Sequence, residues 1–264
     1  MKLISKAGRV VFTLYAAVLF IGMMLIVIPF VFVAGLSGKI KGGNRIYQII
    51  GIWADCWFVC LGIRQQNIYR SPPHEDHPLI FVANHISYFD IPVVVKVIRQ
   101  PVRILGKAEM AGIPLFGYIY RKAAVMVDRS SPRNRVRSVE ILKSYLRKGV
   151  SIFIFPEGTF NETGRPLKSF YDGAFRIAIE TQTPLKPVVF ADTVHRMHYS
   201  SVFSLTPGIS RAVFLEEVPV KGLTLKDLPG LKELVYRKME ACLEAFRKEE
   251  EQEEEAKHKK ADVL

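Results

Sequence analysis

The stretch Phe81-Val82-Ala83-Asn84-His85-Ile86-Ser87-Tyr88-Phe89-Asp90, FVANHISYFD, passes from an apolar run straight into a cluster of His, Ser and Asp. A short continuous apolar run marks a strand buried on both faces. Asp90-Ile91-Pro92 has the composition of a helix start, with Asp90 at or near the N-cap. Five residues separate His85 from Asp90, and a regular helix would place them about 140° apart. A tight strand-to-helix connection over 85–89 is therefore expected, at the carboxyl edge of a sheet, where open α/β sheets bind ligands. There Asp90 can hold one ring nitrogen of His85 and leave the other to take a proton. In the plainer reading Asp90 only caps a helix and His85 only fills a turn.

The segments around this stretch decide the fold class. LIFVAN, VRILGK, AAVMVDR, VSIFIF, LKPVVF and RAVFLEEV read as short apolar strands separated mostly by helical stretches. The expectation is an α/β fold with a mixed, largely buried sheet flanked by helices on both faces. Pro132 to Lys148 has Ser131 as N-cap, Pro132 at the first helical position and Gly149 as terminator. A last helix, from about Lys226 to Lys257, is amphipathic before it becomes almost wholly charged.

The N-terminus is of another kind. Val10 to Leu36 is 27 residues without a charge, long enough to span a bilayer and longer than a signal-peptide core. A second apolar run, Ile46 to Ile63, is broken only by Gln48 and Asp55, and the basic connector Lys39, Lys41 and Arg45 lies between the two. A two-helix hairpin in one leaflet would keep both basic ends on the cytoplasmic side; a single span and a core-helix role for the second run are the alternatives. The division expected is 1–64 for N-terminal membrane-anchoring helical segments, 65–246 for the α/β domain and 247–264 for a charged tail. Net charge is +12, and residues 1–246 carry 32 basic against 18 acidic side chains. That balance suits an anionic partner, and beside so apolar an N-terminus it favours lipid or phosphate over nucleic acid. Three cysteines form neither a disulfide framework nor a zinc knuckle.

Two further motifs point to chemistry. Phe155-Pro156-Glu157-Gly158-Thr159, FPEGT, follows a buried strand and can present backbone N–H groups and a carboxylate to a ligand. Arg129 ends AAVMVDR just before a helix N-terminus, a natural phosphate site, and Lys107 ends VRILGK. Arg133 and Arg137 share a helix face and read as solvated or near lipid head groups. With no Gly-x-Ser-x-Gly elbow and no well-placed cysteine, His85 as a base would act on a substrate hydroxyl. The pairs His74 with His77 and His195 with His198 lack an obvious third ligand, so no metal is expected.

Taken together, Asn84-His85 with Asp90, Arg129, FPEGT and Pro187-Val188 resemble the four ordered motif blocks of the glycerophospholipid acyltransferase family, its 1-acylglycerol-3-phosphate branch in particular. Lys107, Ile113-Pro114-Leu115-Phe116-Gly117 and Phe170-x-Asp172-Gly173-Ala174-Phe175 are weaker supporting matches within a resemblance that covers roughly residues 79 to 192. It implies that His85 is the general base and Asp90 its partner. By the same resemblance Arg129 contacts the acceptor phosphate, and Glu157 with Gly158, together with Thr159 and Lys107, serves substrate binding. The activity implied is transfer of a fatty acyl group from acyl-coenzyme A or acyl carrier protein, as substrate rather than cofactor, to the free hydroxyl of 1-acylglycerol-3-phosphate. The product would be phosphatidate, and the domain would work at a membrane, on the cytoplasmic side of the inner membrane in a bacterium. Two departures bear on the acceptor. The usual Arg-Ser after FPEGT is Phe160-Asn161, and the glycine common before the Arg129 strand is Ala123 or Ala124. Another lyso-lipid, such as a lyso-aminolipid, is the alternative acceptor. A non-catalytic lipid-binding adaptor and a hydrolase acting on water are the alternative functions.

Overall fold

The computed structural model describes residues 5–72, 77–128 and 131–261. Helices α1 (Lys6–Gly35) and α2 (Gly43–Cys60), joined by a π-helical turn at Gly38–Gly42, precede β1 (Ile63–Tyr69). The chain continues through β2 (Ile80–Ala83), α3 (Asp90–Val97), β3 (Val102–Lys107), a 3-10 turn at Ala108–Gly112, α4 (Phe116–Ala123) and β4 (Ala124–Val127). It ends with α5 (Pro132–Leu146), β5 (Ser151–Ile154), α6 (Gly173–Thr181), β6 (Leu185–Phe190), α7 (Thr193–Arg196), β7 (Gly208–Phe214) and α8 (Leu228–Ala261).

The strands form one seven-stranded sheet in the order β1-β7-β6-β2-β5-β3-β4. β6, β2, β5, β3 and β4 are mutually parallel, β7 is antiparallel to β6, and β1 pairs parallel with β7. The sheet is therefore mixed and covered on both faces, as expected for strands without polar alternation. Phe81 and Ala83 of β2 pack with α1, α2 and α3, whereas Ile80 and Val82 pack on the other side with α5, α6 and α8. Period-two alternation within one apolar strand thus feeds two separate cores.

α2 is a core helix on one side and a surface helix on the other. Ile46, Tyr47, Ile50, Trp53, Ala54, Trp57 and Phe58 are buried, while Ile52 and Val59 are exposed. α1 packs along it through Ala16, Met24, Val31 and Ala34, and Trp57 Nε1 donates to the Ala16 carbonyl at 3.1 Å. The opposite flank of α1, including Val11, Leu14, Val18, Ile21, Leu25, Ile26, Phe30 and Val33, is exposed. α1 is the one described helix long and apolar enough to cross a membrane, with a mean hydropathy of 2.9.

A buried cation ties this hairpin to the amino edge of the sheet. Arg103, in β3, is fully buried and donates to the carbonyls of Lys39 and Ile40 at 3.2 and 3.3 Å and to Asn44 Oδ1 at 3.0 Å. Its guanidinium lies 5.0 Å from the Tyr145 ring centroid. A Cβ at position 43 would run into that guanidinium, which explains why glycine opens α2. At the far end of the chain, α8 runs unbroken through residue 246, and Glu250 lies 3.4 Å from both Arg211 and His195.

Candidate active site

The carboxyl ends of the parallel strands share one edge, and β2 lies at its centre. Asn84, directly after β2, is buried; its Nδ2 donates to the Phe190 carbonyl at 3.0 Å and its Oδ1 accepts from Phe190 N at 2.8 Å. These bonds fasten the end of β2 to the end of β6 and set where His85 leaves the sheet. Asn84→Ala leaves both Phe190 groups unpaired and is expected to lower stability by about 2 kcal/mol, read as a drop in melting temperature of the purified protein.

His85 Nδ1 lies 2.8 Å from Asp90 Oδ2. That same oxygen accepts from Ile86 N at 2.8 Å and Ser87 N at 2.9 Å. Asp90 is the first residue of α3 with Phe89 at the cap position, and its carboxylate turns back onto the connection instead of capping the helix. The reason is that the tight 85–89 connection brings three N–H groups to one oxygen. An ionised carboxylate only accepts, so Nδ1 carries the proton and Nε2 presents its lone pair. The His85 side chain is 15 % exposed. Its ring stacks on Phe155 with centroids 3.9 Å apart and meets Phe160 edge-on at 4.5 Å.

Glu157 couples this turn to the next loop. Its carboxylate is buried and accepts from His85 N and from Lys168 N, both at 3.0 Å. Burial pushes its pKa up to about 7, helped by the charge of Asp90 and opposed by the two backbone donors. Gly158 has φ +74°, a left-handed conformation that suits glycine, so the chain can reverse directly after Glu157. Thr159 Oγ1 accepts from Lys168 Nζ at 2.9 Å. Lys107 lies on the same edge at the end of β3, with β5 between it and β2, and its ammonium is 3.4 Å from Glu109. Arg129 and His74 lie outside the described residues, and Arg133 and Arg137 are exposed on α5. His195 and His198 turn to different partners, Glu250 and Ser200. No group of three His, Cys, Asp or Glu side chains is gathered among the described residues.

Two residues of the site do not declare themselves in sequence. Ser87 Oγ donates to the Met197 carbonyl and accepts from Phe89 N, bracing the turn from within. Asn161 is buried; its N–H donates to the His85 carbonyl at 2.7 Å, its Oδ1 accepts from Thr163, and its Nδ2 donates to the Arg165 carbonyl at 2.9 Å. The only sequence signal for it is the departure that follows FPEGT.

The His85–Asp90 pair thus sits at the carboxyl edge of the sheet, with the Glu157-Gly158-Thr159 loop bonded to it. Residues 63–191 match the Acyltransferase family model. The chain is 29 % identical over 215 residues to human 1-acyl-sn-glycerol-3-phosphate acyltransferase beta, an alignment that covers 78 % of this chain and 76 % of that protein. It is 31 % identical over 124 residues to the 1-acyl-sn-glycerol-3-phosphate acyltransferase of Escherichia coli, covering 45 % of this chain and 49 % of that one. The fold matches the crystal structure of the 1-acyl-sn-glycerophosphate acyltransferase PlsC from Thermotoga maritima with a TM-score of 0.71 at 24 % identity, over 90 % of this chain and 98 % of that chain. In sequence the chain is thus similar, over the core of the sheet, to proteins named as 1-acyl-sn-glycerol-3-phosphate acyltransferases, and it shares the fold of PlsC.

Proposed function

We propose that the chain transfers a fatty acyl group from the thioester of acyl-coenzyme A or acyl carrier protein to the free hydroxyl of 1-acylglycerol-3-phosphate, giving phosphatidate. The observation that carries this reading is His85 held through Nδ1 by Asp90, with Nε2 left to work. The curated relatives, by their names, supply the acceptor. His85 Nε2 takes the hydroxyl proton while the oxygen adds to the thioester carbonyl carbon, and Asp90 favours the imidazolium that forms. The tetrahedral adduct then breaks its C–S bond, and the imidazolium returns the proton to the departing thiolate. Ser87, the hydroxyl nearest in sequence, is engaged with Met197 and Phe89, which favours direct transfer over an acyl-enzyme.

The hairpin supports action at a membrane. A lyso-lipid keeps its acyl chain in apolar surroundings, and the exposed flank of α1 is apolar along its length. α1 is also fastened to the body near both ends: Leu205 N donates to Thr13 Oγ1 at 3.2 Å, and Phe32 stacks with Tyr118 at 6.4 Å. A helix so held favours lying in one leaflet over projecting through it, with the body on the cytoplasmic side where both donors are found. Membranes containing the protein, offered a panel of lyso-lipids with each donor, are expected to form phosphatidate from lysophosphatidate. Acylation of a lyso-aminolipid alone would replace the acceptor, and fatty-acid release without any acceptor would make the protein a hydrolase.

A further inference from the structure

We propose that Lys168, set in place by Thr159, is the cation that receives the anionic head of the acceptor, and that Phe160 walls that head off from the base. The inference rests on the acyl-transfer reading above and names a specificity determinant within it. A pocket beside the His85 turn is lined by Thr159, Phe160, Glu162, Thr163 and Lys168, and Lys168 is the one cation among these residues. Arg165, the other cation of the loop, does not line it; its carbonyl and N–H are taken up by Asn161 and Thr163.

The position of Lys168 relative to the base is fixed through one side chain. Glu157 accepts the N–H of His85 on one oxygen and that of Lys168 on the other, so a single carboxylate separates the two backbones. From there the Lys168 ammonium reaches Thr159 Oγ1 at 2.9 Å. Thr159 accepts that bond and otherwise makes only a long 3.4 Å contact to the Phe160 carbonyl, so its hydrogen is available to an anion. Phe160 stands where the resemblance expects an arginine. Its ring packs edge-on to His85 at 4.5 Å and to Tyr88 at 4.7 Å, which adds an apolar wall and no charge. The positive charge of this pocket therefore rests on Lys168. In the acceptor the free hydroxyl and the phosphate sit on neighbouring carbons, so a phosphate held by Lys168 and Thr159 directs the hydroxyl past Phe160 toward the imidazole.

The test is kinetic, on the full-length enzyme in mixed micelles, with lysophosphatidate as acceptor and glycerol 3-phosphate as a competitive probe of the head pocket. Lys168→Met keeps the backbone bond to Glu157, so the loop retains its shape. The KM for lysophosphatidate and the Ki of glycerol 3-phosphate are each expected to rise about 10- to 100-fold, the worth of a charge-assisted contact, with kcat the lesser effect. Lys168→Arg should recover most of the loss, and Phe160→Arg, which adds a second cation, should lower the Ki. A loss confined to kcat, or a Ki that does not move in Lys168→Met, would overturn the assignment and leave the acyl-transfer reading standing. A wild-type enzyme inactive toward lysophosphatidate would overturn both.

Discussion

Replacing His85 with alanine is expected to lower acyl transfer about 10²- to 10⁴-fold, the usual worth of a positioned general base. The geometry makes this a clean experiment. Both backbone groups of His85 are engaged independently of the ring: its N–H donates to Glu157 and its carbonyl accepts from Asn161 N. Alanine preserves those bonds, so the turn keeps its course while Nε2 disappears. Rates measured under saturating donor and acceptor, with a melting curve to confirm that the fold is intact, would read the effect. A folded His85→Ala protein that retained the wild-type rate to within a few fold would remove His85 from the chemistry and return the adaptor reading to contention.

The second large effect concerns Glu157 and pH. Its folded-state pKa of about 7 stands above the ordinary carboxylate value of 4.5, so the folded protein keeps a proton that the unfolded chain gives up. Stability therefore falls as pH rises from about 4.5 to about 7 and levels off above that, a total cost of about 3 kcal/mol. Glu157→Gln carries no titrating proton and is nearly isosteric with the protonated acid. Its stability relative to wild type should shift in its favour by about 3 kcal/mol between pH 4 and pH 8. Melting temperatures of the two proteins across that range would be compared; curves that stay parallel would rule out a protonated Glu157 in the fold.

Most of the sheet was legible because its central strands are short, apolar and uninterrupted. β3 and β6 occupy the stretches VRILGK and LKPVVF to the residue. β1 was not legible: IRQQNIY is polar because it forms the edge, pairs only with β7 and buries just one of its seven side chains, Ile63. The stretch from Ile46 to Ile63 reads alike for a membrane helix and a core helix, since one side meets the sheet and the other carries exposed Ile52 and Val59. In the site, the His85–Asp90 contact follows from a five-residue spacing plus a turn and could be read locally. The links through Glu157 to Lys168 and through Asn161 to His85 could not, because each joins separate strand ends whose distance in space depends on the whole sheet.

One further contact gives the hairpin a bearing on how substrate arrives. Phe89, which immediately precedes Asp90, packs against Phe58 at 5.0 Å and Trp57 at 6.1 Å in the last turn of α2. The reactive edge and the helix that packs along α1 are thus in direct contact. In the proposed membrane setting, a lyso-lipid meets the base by travelling sideways within its leaflet and never enters water. Its supply is then counted per unit area of bilayer, not per volume of cytoplasm, while the donor arrives in three dimensions from the other side.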